Sequence, residues 1–285
     1  MTDASQRAAP SGSPLRRAAI FVALVVLAGL FLAPTVGVIF SAFKTTRDIS
    51  LGELWSIPSR LFLGNFAVVL EKPEIYVYLR NTFIVAISAS LLSITLGSLA
   101  GYVFAKLPFF GSELLFLLFV SGLFFPPQIV LIPLFKMFNG MGLIDTLWAL
   151  IIVHTAMGIP ICTLLMRNFL ISVPDALRES ALVEGVSEWR ILLFVVLPIS
   201  LPALAVLATL QFTWIWNDFL WPLIMVQSDE KRTVMLGLVF LRGQYSVAWG
   251  IQGALALLAS LPTLLVFLFF QRYFISGMTM GAVKG

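Results

Sequence analysis

Charge is what this chain has least of. Asp, Glu, Lys and Arg make up 11% of its 285 residues, against about 25% in a typical soluble domain. Its reactive groups are few as well, with one histidine, His154, and one cysteine, Cys162. A single thiol cannot close an intrachain disulfide. No cluster of His, Cys and carboxylates has metal-site spacing, and no Ser/His/Asp set stands out. The Gly-x-x-x-x-Gly-Lys-Ser/Thr phosphate loop does not occur either. An enzyme with its own nucleophile, metal or nucleotide therefore has nothing to build on. The 18 basic residues are scattered and the net charge is only +4, which argues against nucleic acid as a partner.

What the chain has instead is apolar length: 60% of residues are hydrophobic and mean hydropathy is +1.01. Charge-free stretches cover 18–40, 81–105, 114–135, 146–166, 191–217 and 243–271. Each reaches the roughly 20 residues that cross a ~30 Å hydrocarbon core as helix. The runs are continuous rather than alternating, so they predict about six transmembrane helices and not a barrel. The first run is too long for a signal-peptide core of about 7–15 residues and is expected to stay as an anchor.

Orientation does not follow from charge. With the N-terminus inside, inner and outer segments each hold nine Lys and Arg, so the positive-inside rule is silent. Residues 1–17 read as a disordered tail, 18–272 as the membrane domain and 273–285 as a second tail. Eight prolines fall within the apolar runs: Pro34, Pro126, Pro127, Pro133, Pro160, Pro198, Pro202 and Pro262. Each removes a backbone donor and tends to kink a helix. The Pro126-Pro127-Gln128 break is the best candidate for a helix interrupted to line a cavity.

The most polar stretch between two spans is 172–190. Ser172-Val-Pro174-Asp175 reads as a capping box starting a short helix over Ala176 to Glu184. Gly185 can end that helix in the left-handed conformation, and Ser187 can cap the next. An ordinary surface helix between spans has the same periodicity.

The order of elements resembles a known family. Leu79-Arg-Asn81-Thr-Phe-Ile-Val-Ala86, Gly101-Tyr-Val-Phe-Ala-Lys106, Ile132-Pro133-Leu134 and Gly142-Leu-Ile-Asp145-Thr146 fit in sequence. The Glu179-Ser-Ala-Leu-Val-Glu-Gly185 loop follows, then Trp216-Asn217-Asp218-Phe219 and a terminal Gly281-Ala-Val-Lys-Gly285. Together they resemble the permease subunits of carbohydrate-type binding-protein-dependent ABC importers, the smaller membrane subunit of the maltose system among them. Ser180 stands where that family usually has alanine, and Val183-Glu184-Gly185 where Ile-Asp-Gly is common.

The resemblance implies an all-α fold of six membrane helices with a cytoplasmic coupling helix, in the bacterial inner membrane with both termini inside. It implies no catalysis and no cofactor of the chain's own, ATP and Mg being bound by partner ATPase subunits. The implied partners are a second homologous permease, two ATP-binding subunits and an extracytoplasmic solute-binding protein. Glu179, Ser180, Ala181, Glu184 and Gly185 are the implied ATPase-coupling residues. In this scheme Glu179 anchors, Ala181 permits close approach and Gly185 sets the corner.

Trp214, Trp216, Asn217, Asp218 and Phe219 lie where the fifth run ends. They read either as an interfacial belt or as contacts to a solute or binding protein, since aromatic faces stack on sugar C–H surfaces. His154 reads as a lone neutral imidazole bonded to a neighbouring helix, and Asp145-Thr146 as the cap of the fourth span. An ion-coupled secondary transporter is the rival reading. That class keeps several acids or bases within its spans, and these runs hold only His154.

Overall fold

The computed structural model describes residues 14–50, 55–244 and 249–282. Its helices in chain order are α1 (Pro14–Ala42), α2 (Thr46–Ser50), α3 (Gly64–Leu70), α4 (Pro73–Lys106), α5 (Ser112–Ser121), α6 (Pro127–Gly140) and α7 (Leu147–Ile171). The second half holds α8 (Ala176–Val183), α9 (Glu188–Ile191), α10 (Leu197–Ile199), α11 (Leu201–Trp216), α12 (Leu220–Met225), α13 (Val234–Gln244) and α14 (Trp249–Ala282). No strand occurs among the described residues.

Among the described residues four helices, α1, α4, α7 and α14, are each long and apolar enough to span a membrane. Two further spans are bent pairs. α5 with its following turn meets α6 at 95°, and the 188–199 segment meets α11 at 76°. The count reaches the expected six only if each bent pair is one span.

The prolines explain where the bends fall. Pro34, Pro133, Pro160 and Pro262 sit inside unbroken helices, so one lost hydrogen bond is absorbed locally. The 95° break carries Pro126 and Pro127 in succession, and the 76° break at Ser200 is flanked by Pro198 and Pro202. A π-helical turn over Leu192–Val196 precedes the second break.

Two boundaries differ from expectation. Residues 1–13 of the expected tail lie outside the described residues, and helix has already begun at Pro14, where its fixed φ suits a first turn. At the other end α14 continues to Ala282, and 283–285 lie outside the described residues.

The chain divides into two compact units. The first comprises residues up to Val69 together with 247–257. In it, Asn65 Nδ2 donates to Ala42 O at 2.9 Å and Lys44 O at 2.8 Å, covering carbonyls at the end of α1. The Lys44 ammonium is buried and held by Ser56, 3.0 Å from its Oγ. No residue in the most apolar window of α1 is buried.

The second unit comprises 70–246 and 258 onward. Its centre is the crossing of α4 and α7. Lipid tails are as apolar as leucine, so the hydrophobic effect does not press such helices together, and close van der Waals contact must. Gly97 and Gly101 form a Gly-x-x-x-Gly pair on α4. A Cβ at Gly97 would lie 2.3 Å from Cys162 Cβ, and one at Gly101 2.9 Å from Met166 Cβ. Buried Cys162, Met166, Leu170, Ile191, Leu192 and Leu207 extend this core toward α8 and α11.

Candidate functional site

The polar loop is tied to the spans by three charged links. At the end of α4, Lys106 donates to Val173 O at 2.6 Å and pairs with the Asp175 carboxylate. That bond holds Asp175 below the ordinary carboxylate range. Arg178 on α8 grips Glu188 at both oxygens, 2.7 Å from Nε and 3.0 Å from Nη2. The Tyr102 hydroxyl of α4 donates to the same Glu188 carboxylate. The loop helix is thereby bound to α4 and α9 together, and a two-point Arg–carboxylate fork fixes direction as well as distance.

The local folding differs from the capping box read in the sequence. Ser172 Oγ instead donates back to Phe169 O, at 2.6 Å, and closes the end of α7. The side chain of Asp175 makes no capping bond because it is spent on Lys106. Ser187 occupies the cap position of α9 but caps through its backbone carbonyl, which accepts from Arg190 and Ile191.

Gly185 behaves as read. Its φ is +78°, with Gly185 N bonded to Leu182 O at 2.9 Å and Val186 N to Ala181 O at 3.0 Å. That bond pair is a Schellman corner.

α8 presents a distinct outer face. Glu179, Ser180, Glu184 and Gly185 are exposed, as is Val183 at 89%. Residues 179, 180, 183 and 184 recur at one- and four-residue steps, so they share one side of the helix. Ala181 is the exception among the expected docking residues. It turns inward and packs on the buried cluster, so its small side chain lets α8 lie close to its own spans. The most exposed apolar group of α8 is Val183, ahead of Leu177 and Leu182, and sequence reasoning passed it over for want of a facing direction.

A second concentration of polar groups lies deeper. His154 Nε2 is 3.4 Å from Asp218 Oδ2, with both side chains nearly buried. His154 is therefore not lone, and α7 and the start of α12 share an acid–base pair that the sequence places 64 residues apart. Asp218 also accepts from Leu220 N at 3.2 Å and Trp221 N at 3.1 Å.

The expected aromatic group separates. Trp216 is wholly buried, stacked on Phe212 at 5.4 Å, and donates Nε1–H to Ala259 O. With no surface it cannot touch a solute. Asn217 is exposed and turned back to Thr213 O, and Phe219 is half-buried. Trp214 is 65% exposed.

Trp214 lines a cavity of about 130 Å³ with Phe125, His154, Gly158, Gln211 and Trp221, at the Pro126–Pro127 break. The break frees acceptors by simple bookkeeping. The helical donors for Leu123 O are the N–H groups three and four residues on, and both positions are proline.

At the opposite end of α7, Thr146 alone caps the helix, accepting from Ala149 N. Asp145, at φ +62°, instead binds the 227–228 loop. It accepts from Gln227 N and Ser228 N at 2.9 Å each and from Ser228 Oγ at 3.0 Å. Burial pushes its carboxyl up, but those bonds outweigh it, with Lys231 adding, and hold it below the ordinary range.

The native state therefore binds this proton less readily than the unfolded chain does. Its contribution is complete above about pH 4 and is lost as pH falls through the lowered native value. Asp145→Asn tolerates the same φ and is expected to cost about 1 kcal/mol at pH 7, allowing for partial exposure. Thermal unfolding from pH 7 to 3 checks this: the wild-type advantage over the variant should shrink once pH falls below about 4. An advantage that persists unchanged to pH 3 rejects the clamp.

Comparison with known proteins gives four results. Residues 93–280 match a family described as "Binding-protein-dependent transport system inner membrane component". A protein of Pyrococcus horikoshii named as a probable ABC transporter permease is 35% identical over 256 residues, covering 89% of this chain and 93% of the relative. The arabinooligosaccharides transport system permease protein AraQ of Halalkalibacterium halodurans is 31% identical over 276 residues, covering 96% of this chain and 98% of its own. Among solved structures, a bacterial ABC transporter involved in alginate import contains a chain of the same fold. The TM-score is 0.79 at 21% identity, covering 93% of this chain and 100% of that one.

Proposed function

This chain belongs to the family of binding-protein-dependent transport system inner membrane components, and on that footing we propose how it serves an ABC importer as a multi-pass permease subunit. Its cargo is a sugar or sugar-like solute, a reading supported by the arabinooligosaccharide permease it resembles along almost its whole length. It forms one half of the pathway beside a second, homologous permease. Two ATP-binding subunits sit on the cytoplasmic face and bind ATP and Mg, an external binding protein delivers the solute, and both termini are cytoplasmic. The subunit itself makes and breaks no bonds.

One observation carries this reading: α8 is a polar helix with an unused outer face, locked to two spans by charge. Glu179, Ser180, Val183 and Glu184 form the face that docks in the ATPase. Ala181 keeps α8 close to its own spans, and Gly185 turns the chain back into the membrane. When ATP binding closes the ATPases, their shift is passed through α8. Lys106, Arg178, Glu188 and Tyr102 carry it to α4 and to the bent fifth span, as rigid rotation rather than flexing. The cavity then faces outward, and hydrolysis resets it.

Glu179→Lys tests the docking face. Glu179 is exposed and makes no contact needed for folding, so insertion and yield should match wild type. ATP-dependent uptake in reconstituted vesicles is expected to fall about tenfold or more, because a reversed charge at a docked face costs on the order of a few kcal/mol. Normal uptake by this variant removes Glu179 from the interface.

A further inference from the structure

Resting on the importer reading above, we propose that the cavity at the Pro126–Pro127 break is a solute subsite within this subunit, and that it takes uncharged polyhydroxylated solutes.

The cavity is poorly explained as packing. It holds about 130 Å³ and opens outward beside the exposed rings of Trp214 and Phe125, so a molecule larger than water can enter it. Its wall carries Gln211, 3% exposed, whose amide group makes a long bond of 3.4 Å to Gly158 O and also hydrogen-bonds the Cys162 thiol. An amide has an acceptor oxygen besides its two donors, and that oxygen is free to take a hydroxyl. Polar groups at membrane depth are costly unless used, and a leucine would fill the same place more cheaply. A Cβ at Gly158 would lie 2.7 Å from Gln211 Oε1, so the glycine keeps the amide where it is. His154 adds an imidazole on the same wall, and Leu123, whose carbonyl has no helical donor, lines it too.

The second feature is aromatic. Trp214 and Phe125 line the cavity while 65% and 63% exposed, and they come from two different spans, Trp214 from α11 and Phe125 from the Pro126–Pro127 break. Flat rings beside hydrogen-bonding groups suit a molecule with apolar C–H faces and a rim of hydroxyls.

Charge narrows the class. No Lys or Arg lines the cavity, so a phosphate or carboxylate would enter without a counter-ion. The one nearby acid, Asp218, is already engaged by His154, Leu220 N and Trp221 N, which leaves little for a cation. A neutral sugar or polyol fits, and a sugar phosphate or uronate does not.

The test uses the complete transporter, reconstituted with its partner permease, ATPases and binding protein. Uptake is measured for 14C-labelled maltose, trehalose and sorbitol against glycerol 3-phosphate and galacturonate. ATP-dependent uptake should be confined to the uncharged compounds. Gln211→Leu, close in size to the amide, should lower it about tenfold, the factor one lost hydrogen bond can carry. Trp214→Ala should lower it similarly, with Trp214→Phe restoring part of the loss, a rescue that mere packing at an exposed site would not produce. Trp148→Ala, on an exposed α7 residue outside the cavity, is the control and should transport normally.

Neutral uptake undiminished in both Gln211→Leu and Trp214→Ala overturns the subsite while leaving the importer intact. Uptake of the anionic probes alone overturns the class. Uptake that needs no ATP rejects the importer reading instead.

Discussion

Glu188→Ala is expected to abolish most solute uptake while leaving ATP hydrolysis by the assembled complex running. Glu188 receives Arg178 at two points and Tyr102 at a third, so its loss frees both α8 and α4 from α9 and leaves Lys106 as the charged tie between α4 and the start of α8. A hydrogen bond to a charged group contributes about 1.5–3 kcal/mol. The carboxylate is 32% exposed, which lowers the expected cost to about 1–2 kcal/mol for the link as a whole. That is too little to unfold the subunit, but enough to let the helix move without its spans.

The measurement is the ratio of solute carried to ATP hydrolysed, which should drop by about tenfold. Because the pair acts as a unit, Arg178→Ala combined with Glu188→Ala should be no worse than the poorer single change. Additive losses, or a ratio unchanged in Glu188→Ala, would show that motion reaches the spans by another route.

Gly97→Ala is expected to do the opposite, damaging assembly rather than coupling. The new methyl would stand 2.3 Å from Cys162 Cβ and 3.0 Å from the backbone at Ile159 O and Thr163 N. Neither neighbour is the free end of a flexible side chain, so α4 and α7 must part along their longest shared crossing. Overpacking typically costs about 1–3 kcal/mol and sometimes more. In lipid, no hydrophobic term recovers what the lost contacts gave up.

Midpoints of thermal unfolding and the yield of assembled complex report the effect. Gly97→Ala with Cys162→Gly should recover part of the loss, because it removes the nearest clash and leaves only the two tight backbone contacts. A single variant as stable as wild type would mean that the helices are not held by this contact.

How far the sequence was legible depends on the distance over which each residue acts. The spans were readable because hydropathy is a local sum, and each charge-free run covers most of one long apolar helix or one bent pair among the described residues. The Gly185 corner was readable for a related reason: a left-handed φ is a property of one residue and its immediate neighbours. The helix over Ala176–Val183 likewise appeared within one residue of expectation.

Capping was less legible, since Ser172 had a second local option in Phe169 O and Asp175 had a better distant one. Lys106, 69 residues before Asp175 in the chain, competes successfully for its carboxylate. His154 looked isolated because its partner Asp218 belongs to a different span. Trp216 looked like a surface ring because periodicity cannot tell which side of an all-apolar helix meets protein rather than lipid.

The sequence by itself determined that this chain lives in a membrane, how many times it can cross, where a polar elbow interrupts it and which residue turns that elbow. Those properties follow from solvation and local backbone sterics, which need no partner to be evaluated. Only the tertiary structure decided that Ala181 faces inward and Val183 outward, that Glu188 joins three helices, and that Gln211 and Trp214 share a cavity while Trp216 does not. Each of these depends on which helix lies beside which, and in a bilayer that choice rests on close packing and scarce polar bonds between residues far apart in the chain.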